Sequence, residues 1–252
     1  MSKYILSGPS RIPAHVWVDV VGSAVLGLRR SPARDAARVW TATRPPVALT
    51  GIENLPEAGP YVVIANHMNG PGVWVGFTAA LITAVVERAS PGAVIRTVGV
   101  AAYRDFRLFG VIAVPDAVTA FVFERFYRVY GVINMPYSAA GTEARGGGVR
   151  RILKSVKDSD VVILFPEGGN VSDFRMKAIQ SGVGDLFRML SRWKVPIVPI
   201  SVFPEGDTFS VSVGRQLQIS ESTEATEIEQ CAGYSIATML PPELRGPFAE
   251  DA

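Results

Sequence analysis

Two short runs of apolar and β-branched residues set the strongest limit on what this chain can become: Tyr61-Val62-Val63-Ile64-Ala65 and Val161-Val162-Ile163-Leu164-Phe165. Neither alternates polar with apolar, so neither suits a strand with one face in water. Runs of this kind belong inside a parallel sheet covered by helices on both faces. Each breaks off at residues that favour turns. The first runs into Asn66-His67-Met68-Asn69-Gly70-Pro71-Gly72, the second into Pro166-Glu167-Gly168-Gly169-Asn170. A strand, a tight turn and a helix place the turn at the strand's carboxyl end, the edge where open α/β sheets bind ligands.

The rest of the chain fits that frame. The charge-free segment from Val73 to Val86 predicts a helix reaching about Arg88 and ended by Pro91-Gly92. Further strands are expected at Val47 to Thr50, Val94 to Val100, Val132 to Pro136 and Val195 to Val202, and Phe209 to Gly214 alternates like an antiparallel edge. Arg145-Gly146-Gly147-Gly148 reads as a loop before a basic helix from Val149 to Lys157, and Ala178 to Trp193 as another helix. Strands alternating with helices define an α/β fold with a mostly parallel central sheet, helices on both faces and an N-terminal helical segment. With 252 residues and 48% hydrophobic content the chain can bury a full core. The expected divisions are residues 1–44, helical; 45–220, the α/β domain; and 221–252, an acidic C-terminal tail or helix.

Histidine occurs only as His15 and His67, and cysteine only as Cys231. A single cysteine forms no internal disulfide framework and fits a reducing compartment, and no cluster has the spacing of a metal site. The aromatics between Ala101 and Tyr130 are interleaved with arginines, a pattern read here as helices with one apolar and one basic face rather than a nucleic-acid surface. Charge is uneven: residues 1–50 hold seven Lys/Arg against two Asp/Glu, and residues 203–252 hold two against nine. The apolar segment Val16 to Leu28 runs straight into Arg29-Arg30. It is shorter than the roughly 20 residues of a membrane span and contains Asp19. Nor does it resemble a cleaved leader, because His15 and Asp19 intrude and no small-residue cleavage site follows. Two readings stay open. One is an interfacial helix with Trp17 at headgroup level and Arg29, Arg30, Arg34 and Arg38 drawn to anionic lipid; the other is a packing helix with a solvated basic tail. The expected location is cytoplasmic, with peripheral contact at the inner face of the cell membrane under the first reading.

Asn66-His67 after one strand, Phe165-Pro166-Glu167-Gly168 after a second and Val195-Pro196-Ile197-Val198-Pro199-Ile200 on a third together resemble the glycerolipid acyltransferase superfamily, which includes the lysophosphatidate acyltransferases. Gly51 to Pro56 ahead of the first strand and Lys177 to Gly184 ahead of the third keep the family's order, so the resemblance covers Val47 to about Leu217. It implies transfer of a fatty acyl group from a coenzyme A or acyl-carrier-protein thioester to a hydroxyl or amine, with no cofactor beyond that co-substrate. His67 suits the general base, since an ordinary histidine titrates near neutrality. Backbone amides around Gly168-Gly169, or at the amino end of the helix near Val73, suit the developing oxyanion. The candidate catalytic residues are His67 and Glu167, expected to face the same site. The candidate substrate-binding residues are Asn66, Asn69, Gly168, Gly169 and Asn170.

Three departures shape the expected substrate. The family pattern His-x-x-x-x-Asp has Gly72 in place of the aspartate, so His67 needs another partner: Asn66, Asn69, a carbonyl, or a carboxylate among Asp105, Asp116, Asp173 and Glu167. The family usually continues Phe-Pro-Glu-Gly with Thr-Arg-Ser, where this chain has Gly169-Asn170-Val171. The arginine often found after the short middle strand is absent from Val132 to Tyr137. Arginine binds phosphate with two parallel hydrogen bonds, so its loss points to an acceptor without phosphate, either a lipid or a small molecule. A conventional lysophospholipid acyltransferase and an inactive lipid-binding scaffold are the alternatives.

Overall fold

The structure, a computed structural model, describes residues 13–43, 46–68, 73, 75–99, 107–108, 112–113, 115–136, 142–168 and 174–249. The chain begins with helices α1 (Ala14–Leu26) and α2 (Pro32–Ala42), followed by β1 (Ala48–Thr50), β2 (Tyr61–Ala65), α3 (Val75–Ala89) and β3 (Ile95–Gly99). A small antiparallel pair, β4 (Arg107–Leu108) and β5 (Ile112–Ala113), precedes α4 (Asp116–Tyr130), β6 (Ile133–Asn134) and α5 (Thr142–Lys157). Then come β7 (Val161–Leu164), α6 (Val183–Arg192), β8 (Ile197–Glu205), β9 (Thr208–Val213) and α7 (Ala225–Ala237).

Seven strands form one sheet in the order β1-β9-β8-β2-β7-β3-β6. Strands β8, β2, β7, β3 and β6 run parallel, whereas β9 is antiparallel to β8 and β1 parallel to β9. The two apolar runs lie side by side, Tyr61 opposite Val161 and Ile64 opposite Leu164, and are buried at every strand position. The step from β2 through α3 to β3 and the step from β7 through α6 to β8 cross the sheet in opposite directions, so right-handed crossovers place α3 and α6 on opposite faces. Helix α2 packs on α3, α1 on α4 and α7 on α6. Val39 of α2 and Ile228, Ala232 and Ile236 of α7 share one core with the sheet, which therefore extends into both flanking segments.

Helices α1, α2 and α4 are joined through one buried carboxylate. Arg30 donates to Asp35 with Nε at 2.6 Å and Nη2 at 2.7 Å, and the Tyr130 hydroxyl donates to it at 2.9 Å. Burial alone would raise the Asp35 carboxyl, but the bonds from Arg30 and Tyr130 more than offset it and hold it below its usual value. Asp19 of α1 accepts from Arg38 at 2.9 Å. Helix α2 starts cleanly because Ser31 caps the amide of Arg34 and Pro32 occupies the first turn.

Three expectations change in detail. Arg145 to Gly148 is not a loop: the glycines lie within α5, whose Val149, Ile152, Leu153 and Val156 pack on the core. That burial outweighs the roughly 1 kcal/mol each helical glycine costs, and Gly148 lies so close to Met135 and Pro136 that a side chain there would collide. The helix expected from Ala178 begins only at Val183, because Met176 and Gln180 bind their amides to Leu244 and Pro166 carbonyls, both at 2.9 Å, and hold the segment extended. Strand β9 is antiparallel as expected but not an edge, since β1 pairs along its outer side with Leu49 opposite Val211.

Gly184 sits at the crossing of α6 and α7, where an added Cβ would lie 2.7 Å from the Ala225 carbonyl carbon and 2.9 Å from its Cα. Backbone cannot move aside as a flexible side chain can. Gly184→Ala should therefore lower stability by about 1–3 kcal/mol, read as a lower urea midpoint with an unchanged slope.

Candidate active site

Because β2 and β7 are neighbours in register, the turns that follow them meet at one edge. The Glu167 side chain is 1% exposed, and each of its oxygens accepts a main-chain amide: Oε1 from His67 and Oε2 from Lys177, both at 2.6 Å. Three segments are thus pinned to one carboxylate: the end of β2, the turn after β7, and the stretch before α6. The turn is fixed further by Gln180, whose Nε2 donates to the Glu167 carbonyl at 3.0 Å. Gly168 follows with φ +60°, and a Cβ there would sit 2.6 Å from Gln180 Cγ. Glycine is needed at that position on both grounds. Helix α3 reaches the same turn from behind, Thr78 Oγ1 donating to the Met68 carbonyl at 3.1 Å.

The imidazole of His67 lies edge-on to Phe165, ring centroids 5.5 Å apart at 82°. Its Nδ1 is buried and has no hydrogen-bond partner among the described residues. Burial, with the nearby positive charge of Lys177, lowers the His67 pKa to about 4. The ring is therefore neutral at physiological pH. Glu167 shifts the other way: burial raises it to about 7, against the pull of the two amide bonds and of Lys177. A buried carboxylate and a buried imidazole at the same edge thus have titrations displaced in opposite directions, a pattern common where side chains carry chemistry.

The expected site residues fall into distinct places. His67 and Glu167 come together, but Glu167 grips the main chain of His67 and not its ring. Asn66 is buried and turned to the neighbouring strand. Its Nδ2 donates to the Val202 carbonyl and its Oδ1 accepts from the Val202 amide, both at 2.8 Å, so the side chain continues the β2–β8 pairing one residue past the strand. Gly168 uses its amide within the turn, donating to the Phe165 carbonyl at 3.2 Å. Asn69, Gly72, Gly169, Asn170, Asp105 and Asp173 lie outside the described residues. Asp116 is exposed at the start of α4. Lys177 and Gln180 went unnamed as site residues, although both fall in the Lys177 to Gly184 block whose position pointed to them. Among the described residues, no group of three His, Cys, Asp or Glu is placed to hold a metal ion.

Asn66→Ala should cost about 2 kcal/mol, since it leaves a buried amide and carbonyl of Val202 without partners. A melting temperature equal to that of the parent would remove this bridge from the account.

The family model described as Acyltransferase matches residues 46–203, which spans both turns and all the strands that carry them. No curated protein matches the chain. Among solved structures it is similar to the crystal structure of the 1-acyl-sn-glycerophosphate (LPA) acyltransferase PlsC from Thermotoga maritima, at 15% identity and a TM-score of 0.50, with 89% of each chain covered. That likeness is one of fold. The chain belongs to the Acyltransferase family and is an enzyme of that class, an acyltransferase built on the α/β architecture described above.

Proposed function

We propose that the chain transfers a fatty acyl group from a coenzyme A or carrier-protein thioester to a hydroxyl or amine of an acceptor without phosphate, with His67 as general base. The observation that carries this reading is the neutral imidazole at the end of β2, fastened from behind by Glu167. A free lone pair takes the acceptor's proton as its oxygen or nitrogen attacks the thioester carbonyl, and the sulfur leaves as a thiol once it is protonated. Glu167 acts as a positioning residue. By holding the amides of His67 and Lys177 it fixes where the base stands, in the way a rigid support holds a catalytic group to its productive geometry. Burial, with the charge of Lys177 adding to it, keeps the resting imidazole unprotonated, and the amino end of α3 offers a positive dipole for the oxyanion.

The absence of arginine from the two family positions supports an acceptor lacking phosphate. Arg151, which reaches β6, donates instead to the Asn134 carbonyl at 2.6 Å. Peripheral membrane contact through residues 1–44 belongs to the same proposal; among the described residues no helix is long and apolar enough to cross a bilayer.

The direct test offers acyl-CoA and acyl-carrier-protein thioesters with a pool of alcohols, amines and lysolipids, and follows thiol release together with acylated product. Turnover with non-phosphorylated acceptors supports the proposal. Turnover confined to lysophosphatidate would assign the conventional reaction. Binding of acyl thioester without any turnover would favour the inactive scaffold, which the unpartnered Nδ1 of His67 would then explain.

A further inference from the structure

Helix α1 is apolar on two opposite sides. Val16, Val20 and Ser23 share one face and are buried, while Val18, Val21 and Val25 lie half a turn round and, with Leu26 and Leu28, are 55% to 71% exposed. A helix with apolar residues on two opposite faces needs an apolar neighbour for each. Helix α4, packed beside it, shows the same excess: Val118, Phe121 and Val122 form one stripe and are 50% to 57% exposed. The two helices run in the same direction. Arg125 Nη1 donates to the Ala24 carbonyl at 3.1 Å, and the Arg30 amide donates to the Val129 carbonyl at 2.9 Å. These contacts bring the last turn of α1 and the link after it to the second half of α4, so the two stripes sit on neighbouring packed helices, where a monomeric surface ordinarily scatters such side chains singly.

We propose that α1 and α4 together form a docking face for an anionic bilayer, with α4 supplying half of it. This deepens the peripheral contact proposed for residues 1–44 by adding a second helix from within the α/β domain. Charge favours a bilayer over a second copy of the chain. Arg29 and Arg34 are exposed beyond the end of α1, Arg128 is exposed on α4 and lies 3.7 Å from Glu124, and Arg125 lies over the Phe121 ring at 4.7 Å. On the acidic side, Asp116 and Glu124 are exposed on α4, and Asp19 is bound by Arg30 and Arg38. At the far end, a cavity of about 240 Å³ between the α1–α2 link, the start of β3 and the end of α4 carries Arg29, Arg30 and Arg96 on its walls. Arg30 and Arg96 are paired with Asp35 and Asp160, which leaves the exposed Arg29 guanidinium as the group suited to a lipid phosphate. Two copies meeting face to face would set these arginines against one another. Anionic headgroups around inserted apolar side chains satisfy both parts.

The experiment is co-sedimentation of the full chain with vesicles of phosphatidylcholine plus phosphatidylglycerol, and with phosphatidylcholine alone. Three variants accompany the parent: Val118→Ser with Phe121→Ser and Val122→Ser; Val18→Ser with Val21→Ser and Val25→Ser; and Arg29→Glu. Each triple variant should lower the partition onto anionic vesicles about tenfold or more, with an unchanged melting temperature because the substituted side chains face outward. Arg29→Glu should lower binding to the anionic vesicles selectively. If the α4 variant sediments like the parent while the α1 variant does not, the role of α4 is overturned. Retention by both triple variants, or equal parent binding to the two vesicle types, overturns the anionic-bilayer face. A parent dimer that the α4 variant dissolves, without sedimentation of either, assigns the patch to a second copy. Thiol release from a soluble short-chain thioester should be the same in parent and triple variants. If even the parent releases no thiol, the catalytic proposal fails while the docking result stands.

Discussion

His67→Ala should reduce acyl transfer by about 10²–10⁴-fold, the range general-base loss commonly produces, and leave the fold in place. Its ring meets Phe165 edge-on, but Nδ1 makes no hydrogen bond among the described residues, so truncation breaks no bridge recorded there. A pH profile should carry the same message. A base with a pKa of about 4 keeps its lone pair far into acid, so the acid limb that His67 itself contributes to kcat/KM should lie near pH 4 rather than 6.5, and is read in Glu167→Gln, where the titration of Glu167 near 7 is removed. An acid limb at the ordinary histidine value in that variant, or near-parental turnover in His67→Ala, would remove this side chain from the mechanism.

Above pH 7, where Glu167 is ionised, Glu167→Gln should lower stability by about 2–3 kcal/mol and activity by at least tenfold, because an amide cannot do what the carboxylate does here. Both carboxylate oxygens accept main-chain amides at 2.6 Å. Glutamine offers one acceptor and turns an NH2 group toward the other amide, so either His67 or Lys177 comes loose. The loss should appear mainly in kcat, with substrate KM nearly unchanged, since the residue positions the base and does not touch the acceptor. Glu167→Asp, which retains two acceptors on a shorter arm, should recover part of the activity. Equal losses for the two variants would contradict the clamp.

The pH dependence of stability separates the two residues. His67 has a folded pKa of about 4, below its usual 6.5, so the native state binds fewer protons across that window and stability falls as pH drops through it. Glu167 has a folded pKa of about 7, above its usual 4.5, so its contribution is fully present below 4.5 and lost as pH rises through 7. The contributions oppose one another over an overlapping range, and between them the parent's stability should be nearly level there. Removing either partner tilts it. His67→Ala should gain stability on acidification from neutrality, and Glu167→Gln should lose it. Parallel slopes in the two variants would show that these groups do not govern the window.

What could be read from the residues alone was whatever burial dictates locally. The β2 and β7 runs announce a covered parallel sheet by their unbroken apolar character, and two strands of that kind must finish at a common edge; hence His67 and Glu167 were expected together. The partners of Asn66 were not legible, because they depend on the register of β8, whose Val202 lies 136 residues further along the chain. The reach of Glu167 was not legible for the same reason: from the residues it is one of several open partners for His67, and only the folded turn shows it taking main-chain amides. Local propensity misled at Gly146 to Gly148, where burial of the helical face overrode three poor helix formers.

The Asp35 junction has a mechanical consequence. One carboxylate receives Arg30 from the α1–α2 link and Tyr130 from α4, while α2, which carries it, is packed on α3. Helix α3 in turn abuts the turn that bears His67. Among the described residues these bonds and packed helices connect the apolar face to the imidazole, which form the two ends of a ruler. On the bilayer proposed above, such a ruler would set the height above the lipid surface at which a nucleophile is acylated. Acceptors would then be sorted by how far their hydroxyl or amine stands from the bilayer, before any contact at the site distinguishes one chemistry from another.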